Sequence, residues 1–250
     1  MFSAPSRLGT RAVLGTSLIC AIGAAVASAA WVLRPDLLFV EHVRFSGQSE
    51  ASVVELRHLA DLHNGIRIWE VDTARVAASV ERHPWVREAT VTRVFPDEVR
   101  IEVDEHVPVA ILHHGGLFYV DDRGSIFLPA DGRDLDYPSL TGLTPELEAS
   151  HPDLPRHVVA QQLALVDALD VRGLIARDAL DEVHFSRTRG FTVRSRGSRI
   201  LFALEDLDGQ LDRFASLLAS GTVDLDRPTH VDLGPRSVAI VRPLEPPGEG

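Results

Sequence analysis

Residues Glu81 to Ala110 read ERHPWVREATVTRVFPDEVRIEVDEHVPVA, and the fold of the chain turns on this stretch. Pro84 brings no N–H to a helix and biases His83 away from helical geometry, so a helix arriving from upstream ends near Arg82. Trp85 then leads into Val86 to Phe95, a run rich in the β-branched residues that suit strands. Val99, Ile101 and Val103 alternate with Arg100, Glu102 and Asp104, which predicts a second strand with one buried and one solvated face. Pro96 and Asp97 suit the turn between them, Pro through its preset φ and Asp by bonding its own backbone.

Working upstream, Asp72 can cap the arriving helix, which carries Val76, Ala77 and Val80 on one face. Ser52-Val53-Val54-Glu55 has capping-box spacing and opens an earlier helix with Val53, Leu56, Leu59 and Ala60 on its stripe and Asn64-Gly65 as its stop. Leu37 to Ser46 reads as a strand that ends at Gly47. The predicted order is β-α-α-β-β.

Farther upstream, residues 12–33 form an uncharged run of 22 residues. As a helix it would reach roughly 33 Å, enough to cross a hydrocarbon core of ~30 Å. Arg7 and Arg11 precede it, so the positive-inside rule leaves residues 1–11 as a cytoplasmic tail and the bulk of the chain outside, with Trp31 at the interface. The alternative is a cleaved signal peptide, since Ala27-Ser28-Ala29 satisfies the small-x-small cleavage pattern; the uninterrupted length favours the anchor.

Downstream, Val107 to Leu112 turns at Gly115-Gly116 into Leu117 to Val120, and Asp121-Asp122-Arg123-Gly124 turns again into Ile126 to Leu128. Pro129 to Leu140 reads as a polar loop, and Arg156 to Val171 as a helix. Short strands follow around Val183 and Phe185, Phe191 and Val193, and Ile200 to Leu204, then a helix over Leu207 to Leu218 ended by Gly221. Val231 to Leu233 and Val238 to Val241 are the last strands, and the Pro-rich end, 244–250, reads as a disordered tail.

Composition narrows the chemistry. All 25 basic residues are arginine, so a Schiff-base lysine and a phosphate-loop lysine are excluded. The net charge of −11 argues against nucleic acid as a partner. Cys20, alone and inside the apolar run, cannot form an intramolecular disulfide.

His113-His114 with Asp121-Asp122 is the best metal-like cluster, yet adjacent strand residues point to opposite faces and one site could hardly use both imidazoles. Asp224 and Asp226 lack the Gly and closing Glu of a calcium loop. Glu102 and Asp104 read as a solvated strand face, and Trp85 as a core plug behind the second helix. No metal, cofactor or small-molecule substrate is expected. Val231, Leu233, Val238 and Ile240 alternate with polar or small residues; such a strand either accepts another chain along its edge or closes the sheet.

Three segments stand out together: His83-Pro84-Trp85-Val86, Phe95-Pro96-Asp97-Glu98-Val99-Arg100-Ile101, and Glu105-His106-Val107-Pro108-Val109-Ala110. In this order, behind an N-in anchor, they resemble the bacterial cell-division family FtsQ (DivIB). The resemblance continues in Tyr119-Val120-Asp121-Asp122-Arg123-Gly124, Pro138-Ser139-Leu140-Thr141-Gly142 and Val231-Asp232-Leu233, and covers nearly the whole chain. It implies an α+β fold: a single transmembrane helix at 12–33, a POTRA domain at 37–105, and a β-rich domain with two helices at 106–243.

The resemblance further implies a non-catalytic bitopic scaffold at the septum, in the inner membrane. Its extracytoplasmic domain would bind FtsB- and FtsL-like coiled-coil proteins, meet other membrane division proteins through the POTRA domain, and help control septal peptidoglycan synthesis. The implied partner-binding surface is the last strands, here Val231, Leu233, Gly234, Pro235, Arg236, Val238, Ile240 and Arg242. In that family an arginine usually follows Asp232-Leu233, in some members with an aromatic after it; Gly234 and Pro235 stand in those positions here, and Arg236 is the candidate to replace the charge. The alternative is a POTRA-type module of secretion or outer-membrane assembly, which predicts a following barrel of strands of about ten alternating residues. The remaining chain is too short and too helical for one.

Overall fold

The computed structural model describes residues 22–24, 38–63, 65–130, 137–144, 154–235 and 238–244. The chain divides between Glu105 and His106 into two units. The expected membrane span at 12–33 lies outside the described residues except for 22–24, which are helical, and the expected tail lies outside them from 245 onward. Among the described residues no helix is long and apolar enough to cross a membrane.

The first unit carries β1 (His42–Ser46), α1 (Val53–Ala60), α2 (Thr73–Val80), β2 (Val86–Val94) and β3 (Glu98–Glu105). Its sheet runs β1-β3-β2, with β3 parallel to β1 and antiparallel to β2. Ser52 and Asp72 both cap their helices, Ser52 Oγ accepting from the Val54 N–H and Asp72 Oδ1 from the Arg75 N–H, but the capping box is not closed: Glu55 Oε2 lies 3.3 Å from His83 Nε2 instead. Leu56, Ala60, Val76 and Val80 face Val86, Ala89, Val99, Ile101 and Val103 in one core, with Trp85 packed at its rim. The Phe95–Pro96 bond in the β2–β3 turn is cis. Glu105, at the end of β3, is buried and accepts from the Glu50 and Ala51 N–H groups at 2.9 Å, tying the strand to the approach of α1.

Two boundaries differ from expectation. The first strand begins at His42 rather than Leu37, because Phe39 forms an isolated bridge to Arg67 instead. Helix α1 stops ahead of Asn64-Gly65: Asp61 takes the left-handed conformation, which a short polar side chain tolerates.

The second unit is a nine-stranded sheet in the order β12-β11-β10-β9-β8-β7-β4-β5-β6. Its strands are β4 (Pro108–His113), β5 (Leu117–Asp121), β6 (Ile126–Pro129), β7 (Ser139–Thr141), β8 (Leu180–Ser186), β9 (Gly190–Ser195), β10 (Ser198–Phe202), β11 (Thr229–Asp232) and β12 (Ile240–Pro243). Among the described residues it also carries two α-helices, α3 (Leu154–Val171) and α4 (Leu207–Ala219). The register lines up Leu112, Leu140, Val183, Val193, Ile200, Val231 and Val241 across the sheet. Val158, Leu165 and Leu169 of α3 and Leu211 and Phe214 of α4 belong to the same core, so the helices cover that face.

Two buried glutamines hold the helices in place. Gln162 Nε2 donates to the Thr141 and Val183 carbonyls, and Gln210 bonds both the N–H and the C=O of Ala203 as well as the Glu205 carbonyl. The stretch expected to be a polar loop up to Leu140 gives its last two residues to β7, which runs parallel to both β4 and β8 and joins the two halves of the sheet.

Candidate partner-binding edge

The C-terminal segment supplies the last strand of the nine-stranded sheet. β12 pairs antiparallel with β11, Thr229 opposite Pro243 and Asp232 opposite Ile240, and no strand flanks its other edge among the described residues. The Leu244 N–H donates to the Pro228 carbonyl at 2.9 Å, which sets the alternation of the ladder. Arg242 and Ile240 turn their backbone groups toward β11, while Val241 and Pro243 turn theirs outward.

Pro243 has no N–H, so within β12 only Val241 offers an outward donor. At the opposite edge, β6, Ala130 N–H bonds the Leu117 carbonyl, and the same alternation turns Pro129 outward. Each edge therefore carries a proline that shortens its free ladder.

The expected site residues divide between core and surface. Val231 and Leu233 are 0% exposed, and their side chains pack against the helices, out of a partner's reach. Alternation marks a strand with two unlike faces but does not say which face meets a helix, and α4 takes this one. Val238 is 60% exposed and Ile240 36%, so the apolar surface at this edge is theirs. Arg242 is exposed; Arg236 lies outside the described residues. Gly234 N–H bonds Asp232 Oδ1 at 2.9 Å, which turns the chain away from β11 before the exposed Pro235.

Two features next to this edge had no signal in the sequence. Arg213 of α4 donates Nη2 to the Leu233 carbonyl at 3.0 Å, and its Nη1 lies 3.7 Å from Asp206. Asp212, Arg213, Ser216, Leu217 and Ser220 of α4, with Ala239, line a groove of about 530 Å³. Helical spacing identifies α4 as amphipathic, but only the long-range return of β12 turns its outer side into a groove wall.

The metal-like cluster is not assembled. His113 Nε2 bonds Ser139 Oγ at 3.2 Å, whereas Asp121 is 0% exposed and bonds His106 Nδ1 at 2.8 Å. Asp121 Oδ1 also accepts from the Arg123 and Ser125 N–H groups at 3.0 and 2.7 Å, and His106 stacks on Phe127. Burial alone would raise the Asp121 carboxyl, but the hydrogen bonds from His106, Ser125 and Arg123 outweigh it and hold the group below its ordinary value. Elsewhere, Asp224 accepts from the Asp226 N–H, Asp226 pairs with Arg196, and Asp104 pairs with Arg87. Glu102 is exposed.

Comparison with known proteins places these features in context. Residues 38–106 match the family described as POTRA domain, FtsQ-type. A protein of Anaeromyxobacter sp. (strain K) named cell division protein FtsQ is 36% identical over 191 residues, 75% of this chain and 64% of that protein's length. Proteins of the same name from Myxococcus fulvus and Syntrophotalea carbinolica are 35% and 30% identical, covering 81% and 84% of this chain and 71% and 77% of theirs.

Proposed function

This chain belongs to the FtsQ family of bacterial cell-division proteins, and from that premise we propose that it is a non-catalytic, bitopic scaffold of the division complex. Residues 12–33 anchor it in the inner membrane with the N-terminus inside. Its β-rich unit binds FtsB- and FtsL-like coiled-coil proteins along β12, and through them it takes part in control of septal peptidoglycan synthesis. The first unit meets other membrane division proteins.

One observation carries the reading. β12 combines an outward Val241 N–H and C=O, the exposed side chains of Val238 and Ile240, and the groove beside α4. A strand added there gains backbone hydrogen bonds from the edge and apolar contact from the flanking side chains. Gly234 stands where the family usually has arginine, so the polar share of recognition rests on residues such as Arg213 and Arg242.

Titrating the full chain in detergent with a coiled-coil partner tests this. Val238→Lys with Ile240→Lys should weaken binding at least about tenfold while leaving the melting transition in place, because both side chains are surface groups. Val241→Pro, which removes the outward N–H and no bond to β11, should cost about 1 kcal/mol of affinity. Unchanged affinity in a folded double variant would sink strand addition at this edge. Leu233→Lys is no substitute, since it places a charge in the core. The anchor has its own check: a mature chain beginning near Ala30 on N-terminal sequencing would exclude the bitopic form.

A further inference from the structure

We propose that Glu41, His42 and Asp97 form a binding site for a divalent transition-metal ion, with Zn²⁺ as the fitting one. The three residues come from two segments of the first unit, the entry to β1 and the β2–β3 turn. One carboxylate oxygen from each acid and one imidazole nitrogen all lie within 4.8 Å of one another. Neighbouring strand residues normally point to opposite faces, which counts against the His113-His114 pair.

Here that alternation is broken. The N–H groups of Glu41 and His42 both donate to the single carbonyl of Asp97, at 3.0 and 3.2 Å. A pleated strand sends successive N–H groups in opposite directions, so the chain is turned at this point and both side chains can share a side with Asp97. The same two bonds hold the ligand-bearing backbone segments together before any ion arrives.

The electrostatics point the same way. None of the three side chains has a hydrogen bond or ion pair among the described residues. The arginines that flank them in register are committed elsewhere: Arg44 and Arg100 both pair with Glu98, at 3.0 and 3.1 Å. Two carboxylates and an imidazole thus converge with no arginine paired to them among the described residues, although many other acids of the chain pair with arginine.

An imidazole with two carboxylates suits zinc better than magnesium or calcium, which take all-oxygen sets. Zinc bonds of about 2.0–2.2 Å put tetrahedral ligand atoms about 3.4 Å apart, a closure that the exposed Glu41 and His42 side chains reach by small rotations toward the half-buried Asp97. Three protein ligands leave a position for water, so the ion clamps the start of β1 to the β2–β3 turn without being enclosed.

The test is calorimetric titration of ZnCl₂ into the full chain in detergent, with circular dichroism and melting as controls on folding. The wild type should bind one ion that is lost or weakened at least about tenfold in His42→Ala and in Asp97→Asn, since a direct ligand matters no less than an outer-shell partner. His113→Ala with His114→Ala should leave that ion in place. Without zinc, Glu41→Gln should melt no lower than wild type, because it removes a repulsion rather than a contact. Wild-type zinc affinity in folded His42→Ala, or no zinc bound by the wild type, overturns the proposal.

Discussion

Replacing Asp121 by alanine will destabilise the C-terminal unit by about 3–5 kcal/mol, the loss expected when one member of a buried, hydrogen-bonded charged network is removed. The carboxylate is fully buried and serves three donors: His106 at 2.8 Å through one oxygen, and the Arg123 and Ser125 N–H groups through the other. It thereby shapes the Asp121-Asp122-Arg123-Gly124 turn and fixes His106, the first residue of the unit. For a domain of this size the loss is a fall of about 10 °C in melting temperature. Asp121→Asn keeps an acceptor for the two N–H groups but not the charge, and should fall between alanine and wild type.

The same residue gives the effect a pH signature. Its folded-state carboxyl is held below the ordinary value of 3.8, so its contribution is complete above the unfolded value and is lost as pH falls through the folded one. Denaturant titrations should find the gap between wild type and Asp121→Ala constant from pH 7 to 5 and narrowing below about pH 4. A gap that narrows between pH 7 and 5 would assign the stabilisation to another group.

What could be read from the sequence was whatever has a local cause. Caps at Ser52 and Asp72, the proline stop at Pro84 and the alternation of Val99, Ile101 and Val103 each act within a few residues, and with them the β-α-α-β-β order emerges. Asp121 was visible as a notable acid, but its partner His106 lies 15 residues away across a strand, and the histidines nearer in sequence drew attention instead. At the C-terminal edge, alternation identified Val231, Leu233, Val238 and Ile240 together. Only the placement of α4 assigns the first two to the core and leaves the last two at the surface. Arg213, which holds the Leu233 carbonyl, and the zinc-ligand set of Glu41, His42 and Asp97 are both products of chain return, and no spacing rule could have found them.

The other large effect lies just after the short strand β7. Gly142→Ala should cost more than about 4 kcal/mol, a size reserved for backbone collisions and buried-network losses. Gly142 follows β7 at φ +98°, and a Cβ there would stand 2.0 Å from the Phe185 carbonyl oxygen and 2.8 Å from its carbon and nitrogen. These are backbone atoms of β8, so no rotamer change relieves the overlap. Relief requires moving β7 away from β8, which undoes the Thr141–His184 register and exposes Leu140. Gly115→Ala is the control: its φ is +64°, but nothing lies within 4 Å of the added carbon, so only the left-handed backbone cost of about 1–2 kcal/mol remains. If the two variants lose similar stability, the close approach at Gly142 is not what holds the sheet together. If Gly142→Ala alone collapses the C-terminal transition, a three-residue strand links the β4–β6 half of the sheet to the half that ends in β12.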